Sequence, residues 1–189
     1  MKTVDATKLS DEELVFKIVE TNNTHLFAVL YDRFSGVVYN KCYGFSKNKE
    51  EAEDLTHDVF IRLFVKLRTF KGTSKFSTWL YSFTYNFCVN YVQRNSNKKK
   101  ERVTIVTDQI KEEDTTDEID DATLFELKSE KLAKAMSIID PNDKMILLMK
   151  YQDDMPIKEM AELLELGESA IKMRLKRAKE KVVKVYQEL

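Results

Sequence analysis

Asp54 and Asp58 stand one helical turn apart with His57 beside them, and two carboxylates plus an imidazole are metal-ligand types. A nuclease-like metal centre is the enzyme reading of this trio. No further ligand lies at a matching spacing, so an acidic surface for a basic partner is the better reading. Cys42 and Cys88, the only two cysteines, form no C-x-x-C pair and read as buried thiols of a reducing compartment. Neither a dinucleotide-binding glycine signature nor a P-loop is present. No catalytic residue, metal or cofactor is expected; the chemistry is non-covalent recognition.

Recognition chemistry is densest near the C-terminus. Lys172, Arg174, Lys176, Arg177, Lys179 and Lys181 fill the positions left by the apolar stripe Ile171, Leu175, Ala178 and Val182. A preceding stripe, Ile157, Met160, Ala161 and Leu164, marks a shorter helix. Between them Glu165-Leu166-Gly167-Glu168 leaves room only for a tight corner, with Gly167 free to take an unusual backbone conformation and Leu166 to plug the joint. This is a helix-turn-helix pattern, whose cationic second helix can enter a major groove. A solvated basic helix in an ordinary bundle is the alternative.

Aromatic chemistry clusters in the first half. After the polar loop Phe70 to Phe76 come Trp79, Tyr81, Phe83, Tyr85, Phe87 and Tyr91. Helical spacing puts Trp79, Phe83, Phe87 and Tyr91 on one core stripe; others could stack on unpaired bases.

The elements that position these residues are helical. With four Gly and two Pro in 189 residues, an all-α build is expected. Ser10-Asp11-Glu12-Glu13 has capping-box form and starts a helix to about Glu20. A second helix runs from His25 to near Gly44, and a third from Asn48 to Lys66 with Ala52, Leu55, Val59, Phe60, Leu63, Phe64 and Leu67 inward. Ser77-Thr78 caps a fourth that reaches about Arg94. A basic exit, Asn95-Ser96-Asn97-Lys98-Lys99-Lys100, follows; the chain then turns acidic, and no apolar periodicity survives from about Thr107 to Asp121. Helical pattern resumes at Leu124, Leu127, Leu132 and Met136, breaks at Asp140-Pro141 and returns in Met145 to Tyr151. The expected architecture is two helical domains, residues 1–100 and 124–189, joined by a flexible acidic linker at 101–123. No run approaches the roughly 20 apolar residues of a membrane span, so no membrane insertion and a cytoplasmic location are expected.

The net charge of −1 is low for a protein that holds DNA unaided, because phosphate neutralisation supplies most non-specific affinity. Either the basic regions are local and offset by acid elsewhere, or a larger partner supplies part of the grip.

Laid out in order, these segments resemble the bacterial RNA polymerase sigma factors of the sigma-70 family, in the small two-domain extracytoplasmic-function group. Ala52-Glu53-Asp54-Leu55-Thr56-His57-Asp58-Val59-Phe60-Ile61-Arg62-Leu63-Phe64 is similar to the family's A-E-D-L-x-Q-E-V-F-x-R-x-W. Phe70-Lys71-Gly72 and Phe76-Ser77-Thr78-Trp79-Leu80-Tyr81 match F-R-G and F-x-T-W-L-Y. The C-terminal half matches through Pro141, Leu147-Leu148, Tyr151, Glu159-Met160-Ala161, Leu164, Ile171-Lys172, Arg174-Leu175 and Arg177-Ala178.

The resemblance implies a region 2-like domain that docks on the clamp helices of the polymerase beta-prime subunit through Asp54, His57, Asp58, Ile61 and Arg62. It implies capture of an unstacked −10 base by Lys71, Gly72, Ser74 and Lys75 with Ser82, Phe83 and Asn86. It also implies a region 4-like domain that reads the −35 element of promoter DNA through Ser169, Ala170, Lys172, Met173, Arg174 and Arg177. Ser82 and Phe83 replace the tryptophan pair of primary sigma factors, which implies weaker melting and greater dependence on a good promoter. An anti-sigma factor is the further partner implied. The competing reading is a helix-turn-helix transcription regulator with an N-terminal protein-interaction domain, which would not join the polymerase as a stoichiometric subunit.

Overall fold

The computed structural model describes residues 6–100 and 129–189; the expected linker, with Leu124 and Leu127, lies outside them. All described regular structure is helical, and the chain divides into two compact units, Met1–Cys88 and Val89–Leu189. Among the described residues no helix is long and apolar enough to cross a membrane.

In the first unit α1 spans Asp11–Thr21, α2 Thr24–Tyr43 and α3 Lys49–Lys66, and α4 begins at Phe76 and runs to Lys100. Each start is set by a local acceptor. The Glu13 N–H donates to Ser10 Oγ at 3.2 Å while Glu13 accepts the Ser10 N–H at 2.8 Å, closing the capping box. Hydrogen bonding to the carboxylate from the Ser10 backbone N–H, and then from the Ser10 side chain, holds the Glu13 carboxyl below the usual carboxylate range. Asn23 and Asn48 cap α2 and α3 through their side-chain oxygens. Leu14 and Ile18 of α1, Leu30 and Val38 of α2, and Val59 and Leu63 of α3 are buried in the core.

α4 runs on to Lys100 rather than stopping near Arg94, and it departs from expectation in two further respects. Ser77 and Thr78 do not cap it: they sit inside its first turn, and the Phe76 N–H donates instead to Glu12 Oε1 on α1 at 2.8 Å. A tertiary carboxylate, 64 residues away in sequence, thus supplies the acceptor that local spacing assigned to a hydroxyl. Nor is Trp79, Phe83 and Phe87 the buried stripe. Phe76, Leu80, Thr84 and Cys88 are fully enclosed, with Tyr85, whereas Trp79, Phe83 and Phe87 are half-buried. Both rows have helical spacing, so the sequence pattern alone favours the row with more rings; the face turned to α2, where Phe76 meets Phe34 and Cys88 meets Cys42, is the one enclosed. There Cys88 Sγ donates to Cys42 Sγ at 3.8 Å, and this bond and burial push the Cys88 thiol far above its ordinary range. Tyr81 and Tyr85 turn their faces to the buried Lys41 ammonium, 4.2 and 5.0 Å from the ring centroids, so they are engaged internally.

In the second unit α5 is Ser129–Ile138, α6 Pro141–Leu147, α7 Ile157–Leu163 and α8 Glu168–Glu188. Asp140 caps α6, whose first residue is Pro141, and a π-helical turn follows at Leu148–Gln152. α8 packs against α5, α6 and α7. The enclosed residues at α5 are Ala135 and, just past its end, Ile139; Leu132 and Met136 are only half-buried.

The corner between α7 and α8 also departs from expectation. The left-handed residue is Glu165, at φ 54°, while Gly167 has φ −73° and ψ 150° and serves as the N-cap of α8. The Leu166 N–H reaches Ala161 O at 3.0 Å and the Glu165 N–H reaches Glu162 O at 3.4 Å, a Schellman closure. Where α7 stops decides which residue turns left-handed, and that residue here carries a side chain. Replacing Glu165→Gly removes a conformational penalty of about 1 kcal/mol. The C-terminal unit is therefore expected to melt a few degrees higher in calorimetry; an unchanged or lower Tm contradicts the strain.

Candidate partner and nucleic-acid surfaces

The outer face of α3 carries the first surface. Asp54, His57, Asp58, Ile61 and Arg62 are all exposed, because the helix spends its other face on Leu55, Val59 and Leu63. Neither Asp54 nor Asp58 is in an ion pair among the described residues. Arg62 lies over the Phe87 ring, 5.1 Å from its centroid, which fixes it to α4. Among the described residues no group of three or more His, Cys, Asp or Glu could hold a metal ion. Ile61 is 65 % and Val65 58 % exposed, so acid at the start of the helix grades into bare aliphatic surface at its end. Val65 escaped the sequence reading; its signal was the i+4 step from Ile61 on the polar side.

The second surface is the loop before α4. Lys71, Gly72, Thr73, Ser74 and Lys75 are exposed over a floor of rings. Phe70 is buried beneath, 5.4 Å from Phe76 and 5.6 Å from Trp79, and Trp79 in turn stacks on Phe83 at 5.6 Å and 19°. Gly72 has φ +71°, which favours glycine, and a Cβ there would meet Phe16 Cζ at 3.0 Å, so the ring would have to give way. Asn86, one turn beyond Ser82, is exposed, and its amide touches Ser82 Oγ only at a long 3.4 Å. The loop, Ser82, Phe83 and Asn86 all belong to this one unit. Phe16 and Glu12 were missed. Phe16 lies off the buried stripe of α1, and nothing in the local pattern ties either residue to a loop far along the chain.

The third surface is α8. Ile171, Leu175, Ala178 and Val182 are buried, and Ser169, Ala170, Lys172, Met173, Arg174 and Arg177 are exposed. The six cations are not equivalent. Lys181 donates to Asp143 Oδ2 at 2.7 Å and Lys176 pairs with Glu180 at 4.0 Å; Lys179 is also partnered. Lys172, Arg174 and Arg177 form no ion pair among the described residues, which concentrates available positive charge on the N-terminal half. Ser169 and Met173 lie opposite the buried stripe at helical periodicity, and Met173 is 51 % exposed. Gly167 caps α8 without a side-chain acceptor, leaving first-turn N–H groups open to an anion.

Comparison with known proteins assigns both units. Residues 30–98 match the model of Sigma-70 region 2, and residues 129–182 match Sigma-70, region 4. The chain is 27% identical to the ECF RNA polymerase sigma factor SigW of Bacillus subtilis, over 92% of this chain and 95% of that protein. It is also 27% identical to SigM of the same organism, over 83% and 93%. Among solved structures, CnrH in complex with the cytosolic domain of CnrY shares the fold at a TM-score of 0.59 and 18% identity, covering 97% of this chain and 99% of that one. The sigma factor RpoE of Bartonella quintana, solved with the anti-sigma factor NepR, does so at 0.58 and 14%, covering 85% and 96%. With both regions in order on one chain and relatives matched nearly end to end, the chain belongs to the extracytoplasmic-function sigma factors of the sigma-70 family.

Proposed function

We propose that this chain is a detachable specificity subunit that joins bacterial RNA polymerase core and directs initiation at promoters carrying its −35 and −10 elements. The observation that carries the reading is the presence of region 2 and region 4 on one chain, each presenting an exposed recognition surface. It acts as an initiation factor: the polymerase forms the phosphodiester bonds, and this chain binds, registers and captures.

The roles divide by surface. Asp54, His57 and Asp58, continued by Ile61, Arg62 and Val65, form the docking face for the basic clamp helices of the beta-prime subunit. Carboxylates steer a cationic partner, and the bare aliphatics supply burial once it arrives. Lys71, Gly72, Ser74 and Lys75 hold the backbone of the opened strand, while Asn86, with Ser82 and Phe83 beside it, reads and supports the extruded base. Flipping a base costs a few kcal/mol, which a hydrogen-bonding pocket offsets. On α8, Ser169, Ala170 and Met173 face the groove floor, and Lys172, Arg174 and Arg177 flank them toward phosphates and base edges. Residues 1–100 serve as the first module and 124–189 as the second. The site of action is the cytoplasm, where core polymerase resides. A restraining anti-sigma partner fits the company kept by RpoE of Bartonella quintana.

Low net charge suits such a subunit, since it limits stray DNA binding until core supplies the rest of the grip. Purified chain should co-elute with core polymerase and start transcription from discrete sites of a random promoter library. Failure to co-elute, or initiation without site preference, overturns the reading. Arg174→Ala should weaken −35 duplex binding by the holoenzyme by about 1 to 3 kcal/mol if it meets a base, and less if it meets phosphate. Unaltered binding removes Arg174 from the interface.

A further inference from the structure

We propose that α1, which lies outside the region 2 match, completes the strand-capture site: Phe16 presents its exposed ring as a stacking face for an unpaired base beside the Lys71–Lys75 loop. The inference rests on the strand-capture reading above and adds a binding residue to it.

Several independent contacts place α1 at this loop. Glu12 accepts the Phe76 N–H at 2.8 Å, tying α1 to the residue where the loop ends and α4 begins. The Phe16 ring lies 6.0 Å from Phe70 with planes at 31°, and its edge is so near Gly72 that a Cβ there would stand 3.0 Å from Cζ. Phe16 therefore bounds the loop on one side while Phe70 lies beneath it. Matched positions begin only at residue 30, so this wall is not part of what the region 2 comparison recognises.

The exposure of Phe16 is what calls for an occupant. Its neighbours on α1, Leu14, Val15 and Ile18, are nearly fully enclosed, yet Phe16 keeps 48 % of its surface in water. Packing against the loop does not require a ring so exposed. Lys71 and Lys75 are exposed at the two ends of the loop that Phe16 abuts at Gly72, and an aromatic face near cationic side chains is how proteins hold single-stranded nucleic acid. Any base offers a π-face, so Phe16 adds affinity for unpaired strand with little sequence preference. Reading is left to the hydrogen-bonding Asn86. Glu12 acts as a positioning residue, holding the loop end so that ring and lysines face the same strand.

The test uses full-length chain assembled with core polymerase and a promoter recovered from the library, whose non-template −10 strand carries 2-aminopurine at successive positions. Wild-type holoenzyme must bind this single strand; if it does not, the parent reading fails before Phe16 is at issue. Phe16→Leu keeps apolar volume against Gly72 but has no π-face. It should lower single-strand affinity roughly tenfold and relieve the quenching of one 2-aminopurine, with core association and closed-duplex binding unchanged. Phe16→Trp should bind at least as tightly as wild type and quench as strongly. Wild-type affinity and quenching in Phe16→Leu reduce Phe16 to a packing residue and overturn the proposal. Loss of core association in Phe16→Leu makes the exposed ring a polymerase contact and overturns it equally.

Discussion

Asp54→Lys should abolish co-elution with core polymerase while leaving the melting of the N-terminal unit unchanged. Asp54 is exposed on α3 and engages no cation of its own unit among the described residues, so reversing its charge disturbs no internal contact. The core-facing Leu55 and Val59 are untouched. Under the docking assignment the new ammonium meets the basic clamp helices at short range, where like-charge juxtaposition is among the most unfavourable changes an interface can suffer. A loss of at least about a hundredfold in affinity is expected. Asp54→Asn removes attraction without adding repulsion and should lose much less, mainly in association rate and salt dependence. Raised salt should weaken wild type but partly restore Asp54→Lys, because screening acts on both signs. Affinity for core equal to wild type in Asp54→Lys takes α3 out of the interface.

Asn86→Ala should impair strand opening far more than closed-duplex binding. The Asn86 amide is exposed and among the described residues reaches only Ser82, at 3.4 Å, so little internal bonding is lost when it turns to a base. An extruded base brings donors and acceptors that must be matched, and a hydrogen bond lost in such a pocket leaves a desolvated polar edge worth about 1–3 kcal/mol. Open-complex formation should fall roughly ten- to a hundredfold, with thymines near −10 becoming unreactive to permanganate. The effect should be sharp because Ser82 and Phe83 offer no tryptophan wedge to hold the strands apart. Permanganate footprints matching wild type would remove Asn86 from base capture.

How far the sequence reaches can be judged from particular elements. The capping box at Ser10 is local, requiring an acceptor within three residues, and forms as its sequence pattern predicts; Asn48 and Asp140, expected only to mark helix boundaries, turn out to cap their helices over the same short range. The buried stripe of α8 follows from its spacing, since a lone amphipathic helix has only one face to hide. α4 was legible as a helix but not in its orientation, because aromatic residues surround it and two rows compete for the core. The cap at Phe76 was illegible for another reason: its acceptor, Glu12, comes from a different helix.

By itself the sequence determined the all-helical build, the helix-turn-helix, the acidic face of α3, and the family through motifs that are local strings of residues. Tertiary structure alone decided which aromatic row is enclosed, that Glu165 and not Gly167 turns left-handed, which α8 cations are already paired, and that Phe16 borders the Lys71–Lys75 loop. The physical reason is range. Hydrogen bonds within a turn and the period of an amphipathic stripe are properties of neighbours in sequence. Enclosure, pairing and ring contact depend on segments that meet only after the chain has folded.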